Sequence, residues 1–188
     1  MRIIAGEFRS RVLATLPGDN TRPTLDKVRE AVFSRIGPYF EENQSVLDLF
    51  AGSGAVGLEA LSRGMGSAVF NDASGKAVGI VKKNIESLKV NQRCTVFNLD
   101  YRSAINLCAS RGYQFDLIYL DPPYRLMAIN ELVELIVAHG IIKDGGIIVA
   151  ESLKEEETGQ WEHIVKGKEV TYGISKITYL RYTKEINL

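Results

Sequence analysis

The sequence has few cysteines, few histidines and no long apolar run. Its two cysteines, Cys94 and Cys108, form no CxxC pattern, and only two histidines are present. Neither a disulfide framework nor a metal site is therefore predicted. No apolar segment approaches the ~20 residues that a membrane span needs, and the N-terminus lacks the apolar core of a secretory signal. These absences favour a cytoplasmic protein with reduced thiols and no membrane contact.

The length and composition are those of one ordinary globular domain. The chain has 188 residues, of which 45% are hydrophobic and 24% charged, enough to bury a core without covalent cross-links. Net charge is zero, but seven Lys or Arg residues and only four acidic residues lie within positions 1–36. This excess indicates a polyanionic partner, although a solvated polar surface would show the same pattern.

Strand and helix patterns alternate along most of the chain. Short apolar runs predict strands at 46–50, 68–70, 95–99, 116–120 and 146–150. Amphipathic stretches between them predict helices, as in a parallel sheet covered on both faces. Two further strands, at 161–166 and 175–182, have no helix between them and predict an antiparallel hairpin. Residues 1–15 predict a short β-hairpin arm. We expect a single domain over 1–188, with a basic arm and loop at 1–23 and an α/β core at 24–188.

A glycine-rich segment, LDLFAGSGAVG, follows the first strand of the core at residues 47–57. It holds a G-x-G-x-x-G pattern before a helix, where glycines permit a tight turn and close approach of a ligand. Proteins that bind NAD, FAD or S-adenosylmethionine (SAM) share this pattern. Asp48 favours SAM, because a carboxylate there can bind a cationic amino-acid group. A tight turn without a ligand is the alternative interpretation.

Two more acidic residues follow successive strands. Asp72 comes 18 residues after Gly54 and can accept hydrogen bonds from both hydroxyls of a ribose, a task that Asn71 could share. Asp100 follows the next strand and could accept a hydrogen bond from an adenine amino group. Each could also be an exposed turn residue or a helix cap.

The segment Asp121-Pro122-Pro123-Tyr124 directly follows an apolar strand. Two prolines restrict φ and remove two backbone donors, which leaves the Pro122 carbonyl beside the Asp121 carboxylate. Such a pair of acceptors can bind the two hydrogens of an exocyclic amino group. Tyr124 offers a flat face on which a nucleobase can stack. A rigid turn after a strand is the alternative.

Together these motifs resemble a known enzyme family. LDLFAGSG at 47–54 and DPPY at 121–124 are typical of the class I SAM-dependent amino-methyltransferases. The N-terminal sequences RIIAG at 2–6, RPT at 22–24 and VRExxF at 28–33, with GLEALSRG at 57–64, resemble the RsmD family of 16S ribosomal RNA (guanine-N2-)-methyltransferases. Ser10 departs from the glycine frequent in the family, and Asn71 from its apolar or acidic residues.

The resemblance implies a fold, a reaction and a set of site residues. The fold is a Rossmann-like class I methyltransferase with a mostly parallel seven-stranded sheet. The implied reaction is attack of a flipped guanine's N2 amine on the SAM methyl group, with S-adenosylhomocysteine as the product. The catalytic segment would be Asp121, Pro122, Pro123 and Tyr124. The cofactor would be bound by Asp48, Phe50, Ala51, Gly52, Ser53, Gly54, Asp72 and Asp100.

The basic N-terminal residues would contact the RNA substrate, which the resemblance implies is 16S ribosomal RNA, within a small-subunit particle. The predicted phosphate contacts are Arg2, Arg9, Arg11, Arg22 and Arg29. The chain is too short for a large sequence-reading domain, so we expect recognition by shape and a monomeric enzyme.

Three alternatives share part of this pattern. An adenine-N6 methyltransferase acting on DNA or RNA would use the same DPPY chemistry on another base. A NAD-dependent oxidoreductase would account for the glycines but not for Asp121–Tyr124. A non-catalytic RNA-binding module could retain the fold.

Overall fold

A computed structural model describes residues 1–17 and 23–185. The helices in these ranges are α1 (Pro23–Ile36), α2 (Ala55–Ser62), α3 (Gly75–Leu88), α4 (Tyr101–Ser110) and α5 (Ile129–Ala138). The strands are β1 (Ser45–Asp48), β2 (Ser67–Asn71), β3 (Cys94–Phe97), β4 (Phe115–Leu120), β5 (Ile142–Leu153), β6 (Ile164–Tyr172) and β7 (Ser175–Tyr182). Short 3-10 turns occupy Asn91–Arg93 and Tyr124–Leu126.

The seven strands belong to one mixed sheet with the order β3-β2-β1-β4-β5-β7-β6. β1, β2 and β3 pair in parallel, and so do β4 and β5. β7 is antiparallel to both β5 and β6. The predicted α/β fold, with a mostly parallel sheet and a C-terminal antiparallel hairpin, is confirmed.

The chain consists of two compact units, Met1–Tyr101 and Arg102–Leu188. The first unit contains β1–β3 with α1–α3. β1 and β2 have consecutive apolar residues, such as Val46 and Leu47, because both faces of these two strands are buried. β3 is mostly half-buried. Gly57 on α2 lets the helix lie against β2, since a Cβ there would be only 2.3 Å from Cε1 of Phe70.

The N-terminal segment, residues 1–17, is fastened to α2 of the first unit. It folds back on itself through an isolated antiparallel bridge between Arg2 and Val12. Gly6, at φ +84°, brings the segment so close to α2 that a Cβ would be 1.8 Å from the Ser62 carbonyl oxygen. The predicted hairpin is therefore present as a single bridge, and its backbone is docked by hydrogen bonds to α2 rather than projecting as an arm.

A fully buried carboxylate, Glu59 on α2, holds this docked segment. Its two oxygens accept hydrogen bonds from the backbone N–H groups of Ile4 (2.8 Å) and Ala5 (3.1 Å). They also form ion pairs with Arg63 (2.7 Å) and Arg29 (3.6 Å). One side chain thus links the N-terminal segment, α1 and α2.

We expect Glu59→Gln to lower the free energy of unfolding by about 3–5 kcal/mol, because it leaves the buried guanidinium of Arg63 without its carboxylate partner and leaves Arg29 with Asp26 alone. Urea denaturation at pH 7 measures the loss. Glu42→Gln, at an exposed position, is the matched control and should change stability by less than ~0.5 kcal/mol. A loss below ~1 kcal/mol for Glu59→Gln would show that the network is weakly coupled to folding.

The second unit contains β4–β7 with α5. β5 begins at Ile142 and is therefore longer than the strand predicted at 146–150. Ile142 pairs with Phe115 of β4, ahead of the two consecutive glycines Gly145 and Gly146. β6 begins at Ile164 rather than at 161 and continues to Tyr172, with a register irregularity between Lys166 and Glu169. No helix in the part of the chain that the structure describes is long and apolar enough to cross a membrane.

Candidate functional site

The glycine loop, residues 49–54, joins β1 to α2. Gly52 (φ +55°) and Gly54 (φ +79°) adopt left-handed backbone conformations that favour glycine. A Cβ on Gly52 would have no heavy atom within 4 Å, whereas one on Gly54 would be 3.4 Å from Phe70 and Val81. The backbone at Gly52 therefore borders open space. Gly54 lets the turn pack closely against Phe70 and Val81.

Asp48, at the end of β1, is buried beneath this loop with 2% of its surface exposed. Its Oδ2 accepts a hydrogen bond from the Gly57 backbone N–H at 3.0 Å. Burial, helped by the charge of Asp72, raises the pKa of Asp48 to about 7, and the Gly57 bond opposes the shift. A cationic group placed beside Asp48 would restore its ionised form.

Asp72 orders the start of α3 and the glycine loop together. Its Oδ2 accepts from the Gly52 N–H at 2.9 Å, and its Oδ1 accepts from the Ser74 N–H at 2.8 Å. Each carboxylate oxygen retains a second lone pair for a further donor. The side chain is half-buried, so it can both hold the loop and contact a ligand.

Asn71 has a different role from its neighbour. Its buried amide donates to the carbonyls of Leu49 (3.2 Å) and Leu99 (3.0 Å), and its Oδ1 accepts from the Leu99 N–H (3.2 Å). The amide nitrogen and oxygen of Asn71 therefore both form hydrogen bonds, and these connect the carboxyl ends of β1, β2 and β3. Of the two residues considered for a ribose contact, we therefore retain Asp72.

The other predicted cofactor residues surround the loop. The Phe50 ring lies 5.9 Å from that of Tyr101, measured between centroids. Ala51 donates its backbone N–H to the Asn71 carbonyl at 2.9 Å. Ser53 is buried, and Asp100 is exposed immediately before α4.

Asn84, on α3, is a residue that the sequence analysis missed. Its Nδ2 donates to the carbonyls of Ser53 (2.9 Å) and Ala14 (3.0 Å), while its Oδ1 accepts from the Ala14 N–H (2.8 Å). The Ser53 hydroxyl also lies 3.5 Å from the sulfur of Met1. These contacts connect the N-terminal segment directly to the glycine loop. An asparagine in an amphipathic helix gives no local signal of this role.

In the second unit, the acceptor turn, residues 121–124, leaves β4 at its carboxyl end. Asp121 and Pro123 are exposed, Pro122 is buried, and Tyr124 is half-buried. Tyr124 opens the 3-10 turn Tyr124–Leu126, which is closed by a hydrogen bond from the Leu126 N–H to the Pro123 carbonyl at 2.9 Å. Burial raises the pKa of Tyr124 above its ordinary value. The exposed position of Asp121 is compatible with binding an amino group from outside.

The predicted RNA-binding arginines fall into distinct environments. Arg2, Arg9 and Arg11 are exposed, although Arg11 also donates to the Ser87 carbonyl at 2.9 Å. Arg29 is only 5% exposed and is paired with Asp26 and Glu59. Its guanidinium is already used inside the unit, so we leave Arg29 out of the proposed phosphate contacts. Arg22 lies outside the described residues.

The two cysteines have thiols whose pKa is raised by burial. Burial raises the pKa of Cys94 to about 12 and that of Cys108 to about 11, so both thiols are protonated at neutral pH and are poor nucleophiles. Within residues 1–17 and 23–185, no group of three His, Cys, Asp or Glu side chains is placed to hold a metal ion.

Similarity to known proteins extends over almost the whole chain. A family model described as Conserved hypothetical protein 95 matches residues 1–181. A candidate rRNA methyltransferase of Bacillus subtilis is 39% identical over 178 residues, or 94% of this chain and 96% of that protein. Ribosomal RNA small subunit methyltransferase D of Haemophilus influenzae is 32% identical over 97% of this chain and 93% of its own. The solved structure of a candidate methyltransferase from Escherichia coli matches with a TM-score of 0.85 and 31% identity, over 98% of this chain and 99% of that chain.

Proposed function

The chain belongs to the family described as Conserved hypothetical protein 95, the RsmD family of SAM-dependent rRNA methyltransferases, and on that premise we propose that it methylates the exocyclic N2 amine of a guanine in 16S ribosomal RNA. The acceptor turn carries this proposal, because an exposed Asp121 followed by two prolines and a half-buried tyrosine suits an amino group on a flat base. The Haemophilus relative, named for the small ribosomal subunit, supports the substrate.

The first unit fits SAM as the cofactor. The open space beside Gly52 admits a ligand close to the backbone. Asp48 would hold the ammonium group of the cofactor, since its buried carboxylate gains most from a cationic partner. Asp72 would accept hydrogen bonds from the ribose hydroxyls, and Asp100 one from the adenine amine. When bound, SAM supplies an electrophilic methyl group on a sulfonium centre.

The acceptor turn would activate and orient the guanine. A guanine amine is a poor nucleophile because its lone pair is delocalised into the ring. Hydrogen bonds from the amine to the Asp121 carboxylate and the Pro122 carbonyl would favour a pyramidal nitrogen and stabilise the positive charge that develops on it. Tyr124 would hold the flipped base by stacking. Asp121 need not act as a strong base, because the product proton can leave to water.

The exposed arginines of the N-terminal segment would bind RNA phosphates. We expect the double variant Arg9→Glu and Arg11→Glu to weaken RNA binding about tenfold or more and to reduce the slope of log K against log salt by about two. Filter binding across a salt series measures both. Lys154→Glu with Lys168→Glu, at exposed positions of the second unit, is the control of equal charge. Equal affinities for wild type and the arginine variant would exclude the segment as a phosphate contact.

The function itself is tested by product identification. The protein is incubated with methyl-labelled SAM and small ribosomal subunits from cells that lack the corresponding activity, and the RNA is digested to nucleosides. We expect labelled N2-methylguanosine. Labelled N6-methyladenosine would instead support the adenine-N6 alternative, and SAM binding without any label would support a non-catalytic RNA-binding module or a different assembly stage of the particle.

A further inference from the structure

We propose that Asn84, on α3, is a positioning residue through which RNA bound at the N-terminal segment strengthens cofactor binding at the glycine loop. This inference rests on the proposed function, in which Arg9 and Arg11 contact RNA and residues 49–54 contact SAM. The contacts that carry it all lie within the first unit.

The Asn84 side chain lies between the N-terminal segment and the glycine loop and is only 2% exposed. On one side it forms two hydrogen bonds with the backbone of Ala14, accepting from the N–H at 2.8 Å and donating to the carbonyl at 3.0 Å. On the other side, Nδ2 donates its second hydrogen to the Ser53 carbonyl at 2.9 Å. Both amide hydrogens are thus used. Because the amide group is planar, a displacement of Ala14 would also turn the donor that Ser53 receives.

The peptide group between Ser53 and Gly54 is held at both of its polar atoms. Its carbonyl accepts from Asn84, and its N–H, on Gly54, donates to the Ala51 carbonyl at 2.6 Å. Gly54 has a left-handed φ of +79°, and the preceding Gly52 backbone borders open space. The hydrogen bond from Asn84 therefore helps to set the loop conformation where SAM would approach the backbone.

On the RNA side, the backbone from Arg11 to Ala14 is anchored to the first unit. The Arg11 guanidinium donates to the carbonyl of Ser87, three residues after Asn84 on α3, at 2.9 Å. Leu13, only 3% exposed, fixes the backbone between Arg11 and Ala14 in the core. A guanidinium has five N–H donors, so Arg11 can keep its bond to α3 while it contacts a phosphate. RNA at Arg11 would thus hold the segment against the part of α3 that carries Asn84.

The sign of the effect follows from the use of one ordered segment by two ligands. Ordering a segment costs conformational entropy, and a second ligand that needs the same segment binds more tightly once the first has ordered it. RNA would order the N-terminal segment, which fixes Asn84, and SAM needs the loop that Asn84 holds. By thermodynamic linkage, the cofactor must strengthen RNA binding by the same factor.

The test measures the affinity for S-adenosylhomocysteine, the unreactive product, with and without saturating small ribosomal subunits from cells that lack the corresponding activity. Equilibrium dialysis of labelled S-adenosylhomocysteine gives both dissociation constants. For the wild type, we expect the subunits to lower the dissociation constant at least ~5-fold. The affinity for subunits, measured by filter binding with and without S-adenosylhomocysteine, should change by the same factor.

Asn84→Asp keeps the shape of the side chain and its acceptor oxygen but removes both donors, so the Ser53 carbonyl loses its partner. We expect the ratio of the two dissociation constants to fall below ~2-fold. A merely structural role would weaken binding equally with and without subunits and leave the ratio unchanged. Asn84→Ala, which introduces no charge, carries the same comparison should the aspartate variant fail to fold. Asn43→Asp, at an exposed position of the same unit, should keep the wild-type ratio.

Two results would overturn the inference while leaving the proposed function intact. One is equal dissociation constants for the wild type with and without subunits, and the other is the full wild-type ratio in a folded Asn84 variant. Failure of the proposed function would appear separately, as absence of N2-methylguanosine from the wild-type reaction.

Discussion

Asp121→Ala is expected to reduce methyl transfer by about 10³-fold or more while leaving SAM binding within ~3-fold of wild type. The substitution removes the charged acceptor that would stabilise the developing positive charge on the amine, and loss of one such electrostatic contact costs about 10²–10³ in rate. Loss of a hydrogen bond that orients the amine adds to this. The proposed cofactor contacts belong to the first unit, so cofactor affinity should persist.

Single-turnover kinetics and calorimetric titration with SAM measure the two quantities separately. Asp121→Asn keeps one neutral acceptor oxygen and should be intermediate in rate. Asp144→Ala, at an exposed position of the same unit, is the control. A rate for Asp121→Ala within tenfold of wild type would refute the proposed catalytic role, and a parallel loss of SAM binding would indicate a structural role.

Asp48→Asn is expected to stabilise the protein and to weaken SAM binding at the same time. Asparagine keeps an oxygen that can accept the hydrogen bond from the Gly57 N–H but removes a buried charge. The gain at pH 8 is at most about 4 kcal/mol, from the difference between an ordinary carboxyl pKa of 3.8 and the folded value of about 7.

The pH dependence has a definite sign. Between about pH 4 and pH 7 the unfolded chain releases the Asp48 proton while the folded protein retains it, so this group makes the folded state less stable as pH rises. The loss is complete once pH exceeds the folded pKa of about 7. Asp48→Asn should lack this contribution, so the difference in unfolding free energy between variant and wild type should grow from pH 4 to pH 7.

SAM binding should show the opposite trend in the wild type. Because the ionised carboxylate binds the cationic cofactor, affinity should increase with pH up to about 7, with proton release on binding below that pH. Urea denaturation and calorimetry at several pH values measure both effects. Asp144→Asn is the matched control. Unchanged SAM affinity in Asp48→Asn would exclude Asp48 as the ammonium contact, and lower stability at pH 8 would contradict the unfavourable burial of its charge.

Among the proposed contacts, the structure separates residues that hold the site from residues that face it. Gly54, Gly57, Asn71 and Asn84 hold the glycine loop in place. Asp72 does both, since it binds the Gly52 N–H and remains half-buried. In the second unit, Asp121 is exposed and Tyr124 is half-buried. Variants of the residues that hold the glycine loop should alter both protein stability and SAM binding. Variants of Asp121 should alter the rate of methyl transfer alone.

The sequence by itself determined the class of fold and the position of the motifs. Continuous apolar strands alternating with amphipathic helices predicted the parallel sheet, and the absence of a helix between the last two strands predicted β6 and β7 as a hairpin. The glycine pattern and Asp121–Tyr124 predicted where ligands would bind. These features are encoded locally, because side-chain periodicity and backbone restrictions act over a few residues.

Only the tertiary structure decided which polar side chains are used internally. Arg29 was predicted at an RNA surface, but its partner Glu59 lies on another helix. Asn84 bonds a residue 70 positions away, and Glu151 bonds Tyr119 at a separation of 32. A buried polar residue takes its partner from whichever element packs against it, and that choice depends on the whole fold rather than on neighbouring sequence.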